Sequence, residues 1–273
     1  MIINSQKSFL KWTGSKHKLF DTLYSRLPSD FSERRYVEPF LGGGSFFFGL
    51  SPKKAMLSDI NDRLIRTFRA VKNDVETVIS LLKEFKAEHN EQLYYETRSH
   101  FNEEKLDGAL FAAAFIYLNK TCFNGVYREN SSGAFNVPSG KREYKNIDEE
   151  TLRTASLILK DSVLTCCSYE EAALFLNEND FVYFDPPYAP ISETSNFKSY
   201  HSSGWSWLNQ QQLFDCFCDL NERGCKLMLS NSATPELQYM YRKFNVEIIQ
   251  APRSVGARHS AAGLANELVI RNY

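Results

Sequence analysis

The sequence predicts an α/β fold: a sheet of strands alternating with helices, interrupted by a mostly helical insertion. Three observations carry this. Short apolar runs that read as strands alternate with helical patterns on both sides of the middle of the chain. Residues 61–145 break that alternation with helix and loop alone. Two of the strands end in segments that an ordinary connection does not need, Glu38-Pro39-Phe40-Leu41-Gly42-Gly43-Gly44-Ser45 and Asp185-Pro186-Pro187-Tyr188.

Tyr36 to Phe40 is an apolar run that stops at a glycine triplet, so it reads as a buried strand entering a tight turn. Ala55 to Ile60 is a second strand ending in an acid. Asn61 to Glu88 carries Leu64, Ile65, Phe68, Val71, Val75, Val78, Leu82 and Phe85 at helical spacing, which predicts one or two helices. Asp107 to Lys120 is another helix. Thr121 to Lys145 is rich in Asn, Ser, Gly, Tyr, Arg and Lys and has little periodicity, the pattern of a long functional loop or small hairpin. Asp148 to Lys160 resumes as a helix behind an acidic N-cap. Strands follow at Ser162 to Cys167, Phe181 to Phe184, Cys225 to Ser230, Val246 to Ile249 and Leu268 to Ile270. Helices fall between them at Glu170 to Asn177, Gln210 to Arg223 and Pro235 to Phe244. The expected division is a sheet domain of residues 1–60 and 146–273 and an inserted domain of residues 61–145.

Composition narrows the function. The 273 residues hold 32 Lys and Arg against 33 Asp and Glu, a net charge of −1. That excludes a uniformly basic packaging protein but not an enzyme that gathers its basic residues on one face. The 14% of aromatic residues supplies core and also stacking platforms for bases. Six cysteines form no C-x-x-C pair, so no zinc spacing arises and no metal is expected. The longest apolar stretch, Leu110 to Leu118, is too short to span a bilayer, and residues 1–7 have no apolar core of a leader. The expectation is a cytoplasmic protein with reduced thiols and no membrane partner.

The glycine loop follows a strand, where glycines let backbone N–H groups approach a ligand closely. Gly42 and Gly44 match the first two positions of the dinucleotide fingerprint, but Phe47 occupies the third. Asp59, ending the next strand, suits ribose hydroxyls. A nucleoside site without phosphate-binding glycines favours an adenosine derivative lacking a pyrophosphate, of which S-adenosylmethionine is one. A tight structural turn is the alternative. In Asp185-Pro186-Pro187-Tyr188 the prolines stiffen the loop and remove N–H donors. A carboxylate plus a carbonyl oxygen matches the two donors of an exocyclic amino group, and the tyrosine ring can stack on a base. Open α/β sheets bind ligands at the carboxyl ends of their strands.

Together these segments resemble the adenine-N6 branch of the amino-methylating DNA methyltransferases, in the alpha order, and within it the Dam type that methylates GATC. The resemblance covers nearly the whole chain. It includes Phe9 to Lys16, Glu38 to Ser45, Asp59, Leu118 to Pro138 (LNKTCFNGVYRENSSGAFNVP), Asp185 to Tyr188 and Asn196 to His201. It implies a Rossmann-like S-adenosylmethionine-dependent methyltransferase sheet whose inserted domain recognises the target. Double-stranded DNA would be the partner, S-adenosylmethionine the methyl donor, and the enzyme a monomer in solution.

The resemblance also implies roles at matching positions. Trp12, Lys16, Phe40, Gly42, Gly44 and Asp59 would contact the cofactor, with Asp185 near its amino-acid end and Ser168 and Tyr169 as further candidates. Arg128 would read guanine, the commonest specific base contact. Val126 and Pro138 would touch a thymine methyl. Phe123, where tyrosine is common, and Asn124 would insert at the flipped base, and Lys11 would contact an outer guanine. Asn136, Lys141, Arg142, Asn196, Tyr200 and His201 complete the DNA-binding candidates. Trp205 and Trp207 are read as packing residues. The target adenine would be extruded, stacked on Tyr188, and held at N6 by Asp185 and the Pro186 carbonyl for direct in-line transfer. The same residues leave open a relative acting on another DNA site, on cytosine N4 or on RNA, and a non-catalytic DNA-binding relative.

Overall fold

The strands β1 (Arg35–Glu38), β2 (Ala55–Asp59), β3 (Ser162–Cys166), β4 (Asp180–Phe184), β5 (Lys226–Ser232), β6 (Asn245–Pro252) and β7 (Leu264–Arg271) make a seven-stranded sheet. The computed structural model describes residues 6–140, 144, 146–188, 205–252 and 264–273. Ten α-helices lie among the described residues: α1 (Phe20–Tyr24), α2 (Ser45–Leu50), α3 (Asp62–Asn73), α4 (Val75–Ala87), α5 (Glu91–Asn102), α6 (Gly108–Thr121), α7 (Glu149–Leu159), α8 (Tyr169–Ala173), α9 (Trp207–Glu222) and α10 (Pro235–Met240).

The chain forms two compact units, one of Met1–His17, Gly42–Ser51 and Asn61–Cys166, the other of Lys18–Leu41, Pro52–Ile60 and Cys167–Tyr273. The first contains all of residues 61–145, together with the amino-terminal segment, the glycine-loop helix α2 and the α7–β3 segment.

In the second unit six strands lie in the order β2-β1-β4-β5-β7-β6. β1 pairs in parallel with β2 and β4, and β4 with β5. β7 is antiparallel to both β5 and β6. All five residues of β4 are buried, as expected of a parallel strand covered on both faces. The core is built from alternating apolar residues of these strands, such as Val37, Val182, Phe184, Leu227 and Leu229, with Leu213 and Phe217 of α9. From β1 the chain runs to β2 on one side, while β4 and β5 lie on the other. The order therefore reverses between β1 and β4, and their carboxyl ends frame the crevice where open α/β sheets take ligands. Those ends carry Glu38-Pro39-Phe40 and Asp185-Pro186-Pro187-Tyr188.

The first unit is organised around α6. Phe111 to Leu118 are all buried, so this helix is apolar all round and sits inside a ring of helices rather than on a surface. It packs against α3, α4 and α5. Ala112, Ala113 and Ala114 remove bulk and allow close approach. The Asn61 to Glu88 pattern resolves into two helices because Asp74 serves as N-cap of α4, accepting from the Thr77 N–H at 3.4 Å. Asp148 caps α7 as anticipated, accepting from the Thr151 N–H at 3.1 Å. α5 was not anticipated. Its inward residues are only Tyr94, Thr97 and Phe101, too few apolar positions to show a period. Its N-cap Asn90, accepting from the Leu93 N–H at 2.8 Å, was the available signal. On the outer surface Arg153 pairs with Glu76 and Glu149, and Lys83 with Glu149, so these acids are neutralised locally.

Candidate active site

The second unit holds the Asp185 to Tyr188 loop. Asp185 is half-buried, Pro186 buried and Pro187 exposed. The Ser230 hydroxyl donates to Asp185 Oδ1 at 3.0 Å, and the Tyr183 phenol lies 2.9 Å from Ser230 Oγ. Gln210 Nε2 donates to the Pro187 carbonyl at 3.3 Å, and Gln210 Oε1 accepts from Asn231 Nδ2 at 3.1 Å. The Tyr188 hydroxyl donates to Glu267 Oε2 at 2.6 Å. Burial raises the Tyr188 phenol far above its ordinary range, and Asp185 and Glu267 push it the same way. It therefore stays a neutral donor with a stackable ring. The loop is a set of oriented acceptors around an aromatic face, fixed by side chains from β5, β7 and α9.

At the end of β1, Glu38 is buried and accepts from the Tyr36 hydroxyl at 2.8 Å. Phe40 is half-buried and stacks on Tyr169, with ring centroids 5.2 Å apart and planes at 27°. Trp205 meets both rings edge-on, at 5.5 Å from Phe40 and 6.0 Å from Tyr169. Its indole N–H is buried without a hydrogen-bond partner among the described residues. Trp205 therefore packs as expected, against the candidate cofactor ring Phe40. Trp207 is 45% exposed, because the first position of α9 points outward. Asp59 is half-buried at the end of β2, and its carbonyl accepts from the Cys167 N–H at 3.2 Å. Ser168 forms a capping box with Glu171 that starts α8, so its hydroxyl is engaged with the backbone.

The first unit holds the other candidates. Trp12 lies over the glycine loop. A Cβ on Gly43 would come within 2.7 Å of Trp12 Cβ, and one on Gly42 within 2.9 Å of the indole. Gly42 and Gly44 also have positive φ, 49° and 65°, so the glycines are required by both the turn and the ring. Trp12 stacks on Tyr127 at 5.3 Å and 20°. Lys16 is buried. Its N–H donates to Ser45 Oγ at 2.8 Å and its Nζ to the Gly14 carbonyl at 3.0 Å. The Lys11 backbone is held from both sides by the buried Asn119 amide, at 2.8 Å each. The Lys11 side chain lies over Gly125, where a Cβ would approach its Cδ to 2.5 Å.

Residues 121–140 form a hairpin-like loop with bridges Cys122 to Ser139 and Glu129 to Phe135. The Phe123 N–H donates to the Pro138 carbonyl at 2.9 Å. Arg128 Nε donates to Asn136 Oδ1 at 2.9 Å, and the Asn136 N–H returns to the Arg128 carbonyl at 3.2 Å. Phe123 is 53% exposed. Asn124, with φ 59°, and Arg128 are also exposed. Pro138 is exposed and Val126 half-buried. One loop thus collects Phe123, Asn124, Val126, Arg128, Asn136 and Pro138. Lys141, Arg142, Asn196, Tyr200 and His201 lie outside the described residues. Sequence reasoning missed Ser230, Gln210, Glu267, Asn119 and Tyr127. For Ser230 the approach to Asp185 follows from the parallel register of β4 and β5, which the sequence does not display.

Within the second unit the half-buried Phe40 ring and the half-buried Asp59 side chain are chemically compatible with the adenine and ribose of S-adenosylmethionine. Among the described residues no group of three or more His, Cys, Asp or Glu side chains could hold a metal ion. None of the described helices is long and apolar enough to cross a membrane.

An open α/β sheet with a stiff Pro-Pro loop at its switch point is the arrangement of a ligand-binding α/β enzyme. Comparison with known proteins specifies it. Residues 12–255 match the model of the D12 class N6 adenine-specific DNA methyltransferases. The type II methyltransferase M1.LlaDCHI of Lactococcus lactis subsp. cremoris is 38% identical, over 98% of this chain and 95% of its own. The type II methyltransferase M.MjaIII of Methanocaldococcus jannaschii is also 38% identical, over 98% and 99%. The DNA adenine methylase of Vibrio cholerae is 32% identical, over 98% and 96%. The chain belongs to the D12 class of N6 adenine-specific DNA methyltransferases. It is an enzyme that methylates adenine N6 in DNA, and its family uses S-adenosylmethionine as methyl donor.

Proposed function

We propose that the enzyme methylates the adenine of a short duplex site, GATC, after extruding that base from the helix. The observation that carries this is the Asp185 to Tyr188 loop, whose carboxylate, Pro187 carbonyl and tyrosine hydroxyl are held by Ser230, Gln210 and Glu267. S-adenosylmethionine, when bound, supplies an activated methyl group on a sulfonium. Trp12, Lys16, Phe40, Gly42, Gly44, Asp59, Ser168, Tyr169 and Asp185 hold it. Tyr188 stacks on the extruded adenine. Asp185 and the Pro186 carbonyl accept the two N6 hydrogens, which turns the nitrogen lone pair out of conjugation toward the methyl group. Asp185 also stabilises the positive charge that develops on N6. Extrusion costs roughly a few kcal/mol of stacking and pairing, offset by Phe123 and Asn124 entering the gap.

Recognition is the task of the inserted segment, residues 61–145. Arg128 reads guanine through O6 and N7, Val126 and Pro138 touch thymine methyls, and Lys11 contacts the outer guanine. Asn136, Lys141, Arg142, Asn196, Tyr200 and His201 contribute further DNA contacts. The relatives of Vibrio cholerae and Escherichia coli that are named DNA adenine methylases favour a Dam-type site. The enzyme works as a cytoplasmic monomer without a metal. Mapping N6-methyladenine in the DNA of cells expressing this chain tests the site: methylation at every GATC supports it, and a different recurrent motif overturns it. A base analogue that fluoresces when unstacked, placed at the target adenine, tests extrusion. Its emission rises on binding if the base leaves the stack.

A further inference from the structure

β5 opens with an apolar run, Leu227 to Leu229, and then turns polar at Ser230, Asn231 and Ser232, all at most 1% exposed. Polar groups buried so deeply in a central strand are costly unless they are hydrogen-bonded. Their partners show a direction. Asn231 reaches Gln210, which holds the Pro187 carbonyl, at 3.1 and 3.3 Å. Ser230 lies between Tyr183 at 2.9 Å and Asp185 Oδ1 at 3.0 Å. Neighbouring residues of a strand face opposite sides of a sheet, so both sides of β5 send a polar side chain to the same loop.

The strand register explains why Ser230 arrives there. β4 and β5 pair in parallel with Phe181 opposite Lys226 and Phe184 opposite Leu229. Continuing that register sets Asp185 opposite Ser230. Tyr183 and Asp185 are two residues apart, so both reach the serine from one face.

The protons in this chain have a fixed order. Ser230 has one hydroxyl hydrogen, and it points to Asp185 Oδ1. Tyr183 must therefore be the donor to Ser230 Oγ. Tyr183 is fully buried, and burial together with the neighbouring Asp185 holds its phenol well above the ordinary range. It remains a donor, and the chain runs one way, from phenol to serine to carboxylate.

We infer that Ser230, with Tyr183 behind it, is a positioning residue that orients the Asp185 carboxylate toward the amino group of the target adenine. Donors linked in series polarise one another, and a carboxylate with one oxygen fixed has lost its freedom to rotate out of line. This inference rests on the role given to Asp185 above.

The test uses the full chain with duplex substrate and S-adenosylmethionine. Ser230→Ala lowers kcat about 10-fold or more while KM for both substrates stays within about threefold, because the serine touches the carboxylate and neither substrate. Tyr183→Phe, which keeps the ring, lowers kcat in the same direction by a smaller factor. The double variant loses less than the product of the two single losses, since serine and tyrosine act on one carboxylate. Wild-type kcat in both single variants overturns the inference. So do effects that multiply in the double variant, or a loss confined to KM. Should Ser230→Ala fail to fold, Tyr183→Phe decides alone, and a wild-type kcat there overturns it. Asp185→Ala, run alongside, separates the two readings. If it turns over normally, the role of Asp185 falls and this inference with it. If it is inactive while both single variants run at full rate, only this inference falls.

Discussion

The short Asp185 to Tyr188 loop and the longer 121–140 loop are both polar, yet they are held in different ways. In the first, Asp185, the Pro187 carbonyl and Tyr188 are each held by a side chain from another element: Ser230 from β5, Gln210 from α9 and Glu267 from β7. In the second, α3 and α5 hold the backbone through Arg63, Tyr94, Arg98 and Asn102, while the polar side chains bond within the loop, Arg128 to Asn136 and Asn130 Oδ1 to the Ala134 N–H at 3.0 Å. The tips, Phe123 and Asn124, are exposed. The contrast suits the two tasks proposed for these loops. Stabilising charge at one atom needs dipoles that do not reorganise, whereas reading base edges needs side chains that project and adapt.

The comparison is broken most severely at Asp185. Asp185→Ala lowers kcat about a thousandfold and leaves duplex affinity within a few-fold. A single-turnover assay beside an equilibrium binding titration checks this, and substantial residual turnover would remove the carboxylate from the chemistry. Arg128→Ala acts on the other loop and has the opposite signature. It relaxes discrimination at one base pair by about 1–3 kcal/mol while turnover on a saturating cognate site persists. Rate ratios across substituted sites report it, and an unchanged ratio would take Arg128 out of base readout.

Smaller effects sharpen the picture within the first unit. Gly43→Ala forces its new methyl against Trp12 and destabilises the protein by about 1–3 kcal/mol, the usual cost of overpacking. Thermal denaturation measures it, and an unchanged midpoint would show that Trp12 can move aside freely. Lys120 gives the least effect and one that depends on pH. Burial, with Lys11 nearby, pushes its amine down to about 8, opposed by Asp148. An unfolded lysine titrates near 10.4. Below about 8 the folded protein carries the full cost of a buried charge. Between the two values the unfolded chain binds more protons, so this penalty is relieved as pH rises. Lys120→Met therefore stabilises the protein at pH 7, by roughly 1 kcal/mol, and the gain shrinks toward pH 10. Melting curves at the two pH values settle it, and a gain independent of pH would refute the charge explanation.

Much of this was legible along the chain because its signals are local. An apolar strand that stops at Asp185-Pro186-Pro187-Tyr188 needs no knowledge of distant residues, and neither does Asn61 or Asp148 before a helical period. α5 escaped because its buried face is Tyr94, Thr97 and Phe101, a face that becomes apolar only against Phe111 and Phe115 of α6. The stack of Trp12 on Tyr127 was equally hidden, since more than a hundred positions of chain separate the two rings.

Sequence by itself determined the class of chemistry: which strands end in acids and prolines, which loop carries an arginine among asparagines, and the order in which these occur. Those are matters of residue type and spacing, and the physics that gives them meaning acts over a few residues. Tertiary structure decided how the chemistry is aimed. Parallel pairing of β4 with β5 set Ser230 against Asp185, and antiparallel pairing of β7 with β5 brought the strand carrying Glu267 to the loop where it meets Tyr188. Such contacts depend on register between strands distant in sequence, and register is fixed only when the whole sheet buries its apolar faces together.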